Sequence, residues 1–184
     1  MAPRLLPLLV LLLGACSPTG DDAANSAAQP AGGAYFDLRG YMTAQIDSLT
    51  AARPAATKTV LLNGRTEQQP DAEVDFAADL ATFREADINK PAWTDQYTAE
   101  ESNGLLRYVA QDSTLRTQEL RVRLDNDGRP EQIDLRLRTG GGLLSHGSQT
   151  MTYRPAAGYR IALEQDNRFG SDVAATITVD WAGN

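Results

Sequence analysis

The stretch Glu119-Leu120-Arg121-Val122-Arg123-Leu124-Asp125-Asn126-Asp127-Gly128-Arg129-Pro130-Glu131-Gln132-Ile133-Asp134-Leu135-Arg136-Leu137 decides the fold. Leu120, Val122 and Leu124 alternate with Arg121 and Arg123, and Ile133, Leu135 and Leu137 alternate with Asp134, Arg136 and Arg138. Strict alternation places every apolar side chain on one face of a strand. Asp127-Gly128 between the two runs is a hairpin signal, supplying the positive φ angles of a type I′ turn. With that turn, Val122 faces Ile133 and Leu120 faces Leu135 on the apolar side. On the other side Arg121 faces Asp134 and Glu119 faces Arg136. Sheets of this kind are antiparallel, with one face packed and one wet.

Outward from this hairpin the period of two persists. Met151 and Tyr153, then Tyr159, Ile161 and Leu163, continue it across Pro155–Gly158, and Val173, Ala175, Ile177, Val179 and Trp181 close it. Gly140-Gly141-Gly142 reads as a flexible turn, with Leu143 to Tyr153 as the strand after it. Before Tyr97 the period is helical. In residues 35–50, Leu38, Met42, Ile46 and Leu49 recur at helical spacing behind Asp37, an N-cap residue type, and Pro54 stops the helix. Asn63-Gly64 joins Thr57–Leu62 to Arg65–Gln68 as a second hairpin. A second helix is expected from Val74 to Ala86, with Phe76, Leu80 and Phe83 on one face, broken by Asn89-Lys90-Pro91. The expected class is α+β: two N-terminal helices and a hairpin, followed by an antiparallel β-meander with one sheet face packed.

The first 34 residues have a different character. Arg4 precedes the apolar run Leu5–Leu13, which has the length of a secretory h-region and falls short of the roughly 20 residues of a membrane-spanning helix. Leu13-Gly14-Ala15-Cys16 resembles the lipobox of bacterial lipoproteins, in which the signal is cut before the cysteine and that cysteine is lipidated. The resemblance implies a signal peptide over 1–15, with Cys16, the sole cysteine, carrying acyl chains such as palmitate. Ser17–Ala34 contains no aromatic and no large aliphatic residue, a composition that makes a flexible tether with a mean span of about 23 Å. By resemblance to lipoprotein sorting rules, Ser17 is compatible with delivery to the outer membrane. Asp21-Asp22 is reminiscent of acidic surface-export signals in Bacteroidota lipoproteins. Residues 35–184 are of a size for a single domain.

The 17 basic and 24 acidic residues give a formal charge of −7, and removal of Arg4 with the signal makes the mature chain one charge more acidic. This balance argues against nucleic acid, whose binding is driven by cationic contacts to phosphate. It argues equally against electrostatic docking on anionic lipid, so membrane attachment is expected through the acylated Cys16.

The remaining chemistry is sparse. The arginines of the central hairpin invite an anion-binding reading, but Arg121 faces Asp134 and Arg136 faces Glu119, so a structural, solvated face is the expectation. Asp125-Asn126-Asp127-Gly128 with Glu131 resembles a calcium loop only faintly. Arg123 stands at the first ligand position, and the flanks are strands. His146 is the only histidine. A multi-histidine metal site is thereby excluded, and adjacent Ser145 would point to the opposite face of a strand. Glu100-Glu101 and the acids of the second helix show no acid–base spacing. No catalytic residue, metal site or cofactor is expected.

Phe36-Asp37-Leu38, the string Glu85-Ala86-Asp87-Ile88-Asn89-Lys90-Pro91-Ala92-Trp93 and Gly158-Tyr159-Arg160-Ile161 resemble a family of small, uncharacterised Bacteroidota lipoproteins across most of residues 35–184. That family carries no activity to transfer. A second resemblance, of architecture alone, is to periplasmic lipoprotein carriers, whose curved antiparallel sheets hold acyl chains on an apolar face. Two functions are therefore expected to compete. One is a lipid-anchored, non-catalytic envelope module with a protein partner. The other is a binder of a hydrophobic ligand in a pocket lined by Phe76, Leu80, Phe83, Trp93, Tyr108, Tyr153, Tyr159 and Trp181. The second requires a cavity of ~300–1,000 Å³.

Overall fold

The computed structural model describes residues 35–142, 145–168 and 170–181. The signal over 1–15, Cys16, the tether and Leu143 lie outside the described residues. Within them, helix α1 (Leu38–Ala52) is followed by strands β1 (Thr57–Leu62) and β2 (Arg65–Gln69). Two short helices come next, α2 (Phe76–Asp79) and α3 (Ala81–Glu85), then a 3₁₀ turn at Pro91–Trp93. Seven further strands complete the domain: β3 (Tyr97–Ser102), β4 (Leu105–Ala110), β5 (Thr117–Leu124), β6 (Pro130–Gly142), β7 (Ser145–Arg154), β8 (Gly158–Asn167) and β9 (Val173–Asp180).

All nine strands form one antiparallel sheet in the order β2-β1-β9-β8-β7-β6-β5-β4-β3. The meander expected from Tyr97 onward is present, and the N-terminal hairpin extends it by pairing β1 with β9, Val60 opposite Ile177. Register carries one apolar row across seven strands: Tyr108, Leu120, Leu135, Met151, Ile161, Ile177 and Val60 face one another in turn. Leu38, Met42, Ile46, Leu80 and Phe83 from the helices join this face in a single buried core.

The central hairpin has the expected register, Val122 opposite Ile133, Leu120 opposite Leu135, Arg121 opposite Asp134 and Glu119 opposite Arg136. Its turn is of a different type. Only Gly128 has a positive φ, 77°, whereas a type I′ turn requires one at Asp127 as well. The Asp125 carboxylate accepts from the N–H groups of Asp127 (2.9 Å) and Arg129 (2.8 Å), and the Gly128 N–H bonds to the Asp125 carbonyl at 3.1 Å. The side chain thus builds a longer turn, and the pairing shifts by one residue between Arg123 and Leu124. At Asn63-Gly64 both φ angles are positive, 47° and 83°, as a type I′ turn demands.

Asp37 caps α1 by accepting from the Gly40 N–H at 2.8 Å. The second helix is not continuous over Val74–Ala86. It breaks at Leu80, whose φ of −93° and ψ of 0° leave the helical region. Asp79, at the end of α2, is held to the sheet by Lys58 Nζ at 2.8 Å and by the Tyr159 hydroxyl, so the first turn is fixed to the sheet. The second turn then starts afresh and seats Phe83. The three glycines 140–142 belong to β6 and do not form a turn. Gly140, at φ 72°, absorbs a register shift against β7 that lets the strand continue.

Candidate functional site

The eight residues that would line a hydrophobic pocket are mostly core. Phe76, Leu80, Phe83, Tyr108, Tyr153, Tyr159 and Trp181 are buried, and Trp93 is half-buried. They pack on one another. Trp181 lies 5.8 Å from Phe76, 5.9 Å from Tyr159 and 6.2 Å from Tyr153 between ring centroids, and Tyr153 meets Phe83 edge-on at 6.1 Å. Tyr108 belongs to a second cluster, with Tyr35 at 5.4 Å, and Trp93 lies tilted against Tyr97 beneath the Lys90 ammonium. Their polar atoms are engaged too: the Tyr153 hydroxyl donates to Gln45 Oε1 at 2.8 Å and Trp181 Nε1 donates to the Pro155 carbonyl at 3.0 Å. Burial, with Asp79 beside it, pushes the Tyr159 phenol up, and burial does the same for Tyr153. Both phenols therefore stay protonated at neutral pH.

The string Ala86–Trp93 ties the helical layer to the sheet. The Thr117 hydroxyl donates to the Ala86 carbonyl at 2.9 Å, and Asn89 Nδ2 donates to the Phe36 carbonyl at 2.7 Å. Asp87, buried, accepts from both the backbone N–H and the side-chain amide of Asn89 at 3.2 Å. Its residues hold the fold together at the point where α3 meets the sheet.

On the wet face the arginines converge on one carboxylate. Glu119, 8% exposed, accepts from Arg107 Nε at 2.8 Å and from Arg121 Nε at 2.9 Å, with Arg136 Nε at 3.9 Å. Arg121 turns to Glu119 along its own strand and not across to Asp134, which instead accepts from Thr152 at 2.8 Å. Burial raises the Glu119 pKa, but hydrogen bonds and charge from Arg107 and Arg121 outweigh it, and the net shift is downward. A carboxylate with a depressed pKa stabilises the fold fully above the ordinary glutamate value of about 4.3, and that stabilisation is lost as pH falls through its lower folded value. Glu119→Gln is therefore expected to cost about 1–3 kcal/mol at pH 7. Urea titrations at pH 7 and pH 3 should show the difference from the unmodified protein shrinking at the acid end.

His146 is exposed on β7. Asp125, the residue that suggested calcium, is used as the turn acceptor, and among the described residues no group of three or more His, Cys, Asp or Glu is placed to hold a metal ion.

A groove of about 680 Å³ lies where the helical layer joins the first hairpin. Its walls are the C-terminal end of α1 with the link to β1 (Thr50, Arg53, Pro54, Ala55) and the link from β2 to α2 (Asp71 to Ala77). The second wall alternates exposed acid with covered apolar residue: Asp71, Glu73 and Asp75 are exposed, while Ala72 and Phe76 are buried and Val74 half-buried. The Ala72 N–H bonds to the Ala56 carbonyl at 2.8 Å and closes the base. Arg53 (φ 45°) and Asp71 (φ 50°) both adopt left-handed backbone here. Of the eight aromatic and leucine positions singled out from sequence, only Phe76 reaches this groove. The acid–apolar alternation from Asp71 to Phe76 was the sequence signal that could have found it. Two smaller grooves, about 340 and 320 Å³, lie on the wet face beside Arg160 and Arg121. Comparison of the chain with protein-family models, with curated proteins and with solved structures finds no match.

Proposed function

We propose that this chain is a lipid-anchored lipoprotein of the cell envelope, held in the outer membrane by acyl chains on Cys16. Its folded domain then acts as a non-catalytic interaction module. The lipobox-like Leu13-Gly14-Ala15-Cys16 supports the anchor. The packing of Phe76, Phe83, Tyr153, Tyr159 and Trp181 on one another supports the module, because side chains that would have lined a ligand pocket are committed to the core. The convergence of Arg107 and Arg121 on Glu119 supports it as well, since both guanidiniums are engaged by a carboxylate of the sheet itself.

A second reading, a binder of a hydrophobic ligand, draws on a different part of the same face. Val60, Ile161, Leu163 and Ile177 are half-buried, and Leu62 is 49% exposed, so the helices leave one end of the apolar face partly open.

One preparation tests both. The full chain, expressed in a bacterial envelope with an alkyne analogue of palmitate, is expected to take up label that Cys16→Ala abolishes. Label on the Cys16→Ala chain would overturn the anchor. Native mass spectrometry of the same material is expected to give the protein mass with its anchor alone. An additional stoichiometric lipid released on denaturation would favour the binder.

A further inference from the structure

We propose that the groove between the α1 C-terminus and the Asp71–Phe76 segment receives a basic, partly apolar peptide segment of a partner protein. This names the partner chemistry of the interaction module and rests on that reading.

The floor comes first. Pro54, Ala72, Val74 and Phe76 give an apolar surface in a space of about 680 Å³, room for one or two aliphatic side chains. The rim decides the charge of what enters. Asp71 and Glu73 are exposed and make no ion pair among the described residues. Asp75, also exposed, uses one oxygen to accept from the Ala78 N–H at 3.0 Å, capping α2. Arg53 is the single cation on the opposite wall, so the rim is acidic on balance.

Arg53 caps the C-terminal end of α1 and offsets the partial negative charge of that helix end, so the acidity of the groove comes from the opposite wall. The groove therefore presents carboxylates on one wall and a single capping cation on the other, above an apolar floor. The acids are spread along a chain at alternate positions and are not gathered into a metal-binding group. They suit separate ammonium or guanidinium groups, spaced along a segment whose intervening apolar residues meet the floor. A basic segment is thereby favoured over a single divalent ion or an acidic ligand.

The test uses the full chain in a non-ionic detergent and two fluorescein-labelled five-residue peptides. One alternates lysine with leucine, and the other alternates glutamate with leucine. Fluorescence anisotropy is expected to show binding of the lysine peptide only, weakened as salt rises through the screening range. Asp71→Asn with Glu73→Gln should weaken it by about ten-fold, and asparagine keeps the left-handed backbone at position 71 accessible. Arg53→Asn should do the opposite and tighten binding by about three-fold, because it removes the one opposing charge. The opposite signs of the two effects separate a groove site from general loss of fold, which circular dichroism checks. No binding of the lysine peptide, equal binding of the glutamate peptide, or weaker binding by Arg53→Asn would each overturn the proposal. Such a failure with the Cys16 label retained refutes the groove assignment alone. Loss of the Cys16 label with groove binding intact refutes the anchor alone.

Discussion

Phe83→Ala is expected to lower the thermal midpoint by about 6–20 °C. Phe83 is fully buried and meets Tyr153 edge-on at 6.1 Å, beneath the row of apolar residues on the sheet. Truncating a buried phenylalanine removes its transfer energy and leaves a cavity, together about 3–5 kcal/mol. For a domain of this size each kcal/mol moves the midpoint by about 2–4 °C. Relaxation cannot recover much of that loss. α3 is only five residues long, and its neighbours Ala86 and Asp87 are tied to Thr117 and Asn89. A melt followed by circular dichroism checks the figure. A shift below about 3 °C would mean that the helical layer collapses onto the sheet and that Phe83 is not a keystone of the core.

The second large effect is at Gly158, which opens β8 with φ at +148°. A Cβ placed there would stand 2.0 Å from the Val179 carbonyl oxygen and 3.0 Å from its carbon. These are backbone atoms of β9. Relief requires moving the strand that carries Val179 and leads into Trp181, around which Phe76, Tyr153 and Tyr159 are packed. Gly158→Ala is expected to cost at least about 3 kcal/mol, from the disfavoured φ and the contact together. Tryptophan emission should shift toward that of exposed indole as Trp181 is displaced. Gly64→Ala serves as the comparison. Gly64 also has positive φ, 83°, but nothing lies within 4 Å of its added carbon, and the expected cost is about 1 kcal/mol. Equal melting points for the two variants would show that backbone conformation alone, and not the approach of β9, governs position 158.

What could be read without the structure followed from local periodicity. Leu120, Val122, Ile133 and Leu135 fell into register because a one-residue slip would turn every apolar side chain to water. Turn type was harder. Asp127-Gly128 resembles Asn63-Gly64, yet the acceptor role of Asp125 two residues earlier made a different loop. The β3–β4 turn at Asn103-Gly104, with φ of 49° and 72°, carries the same sequence signal as Asn63-Gly64. The break at Leu80 was hidden because Phe76, Leu80 and Phe83 share a face in either conformation. The break coincides with Asp79 being held by the distant Lys58 and Tyr159, which no local pattern reveals. The eight aromatic and leucine positions were legible as buried, but burial against protein and burial against ligand leave the same trace in a sequence. The groove at Arg53 and Asp71 escaped because it joins two linkers that are eighteen residues apart in the chain.

The pairing of β1 with β9 is expected to come late when this chain acquires its structure. β3 to β8 each find their partners among immediate neighbours, and local pairings of that kind form early. The first hairpin has no partner inside its own neighbourhood. Val60 meets Ile177 only across more than a hundred residues, so the loop-closure entropy falls on a single late step. During vectorial emergence from a ribosome, residues 57–69 must wait with an unpaired edge until β9 is released. A chain halted before Val173 would keep its meander and leave Leu61 and Leu62 on an open strand. That species is the one most prone to intermolecular pairing, and the last strand acts as the clasp that closes it off.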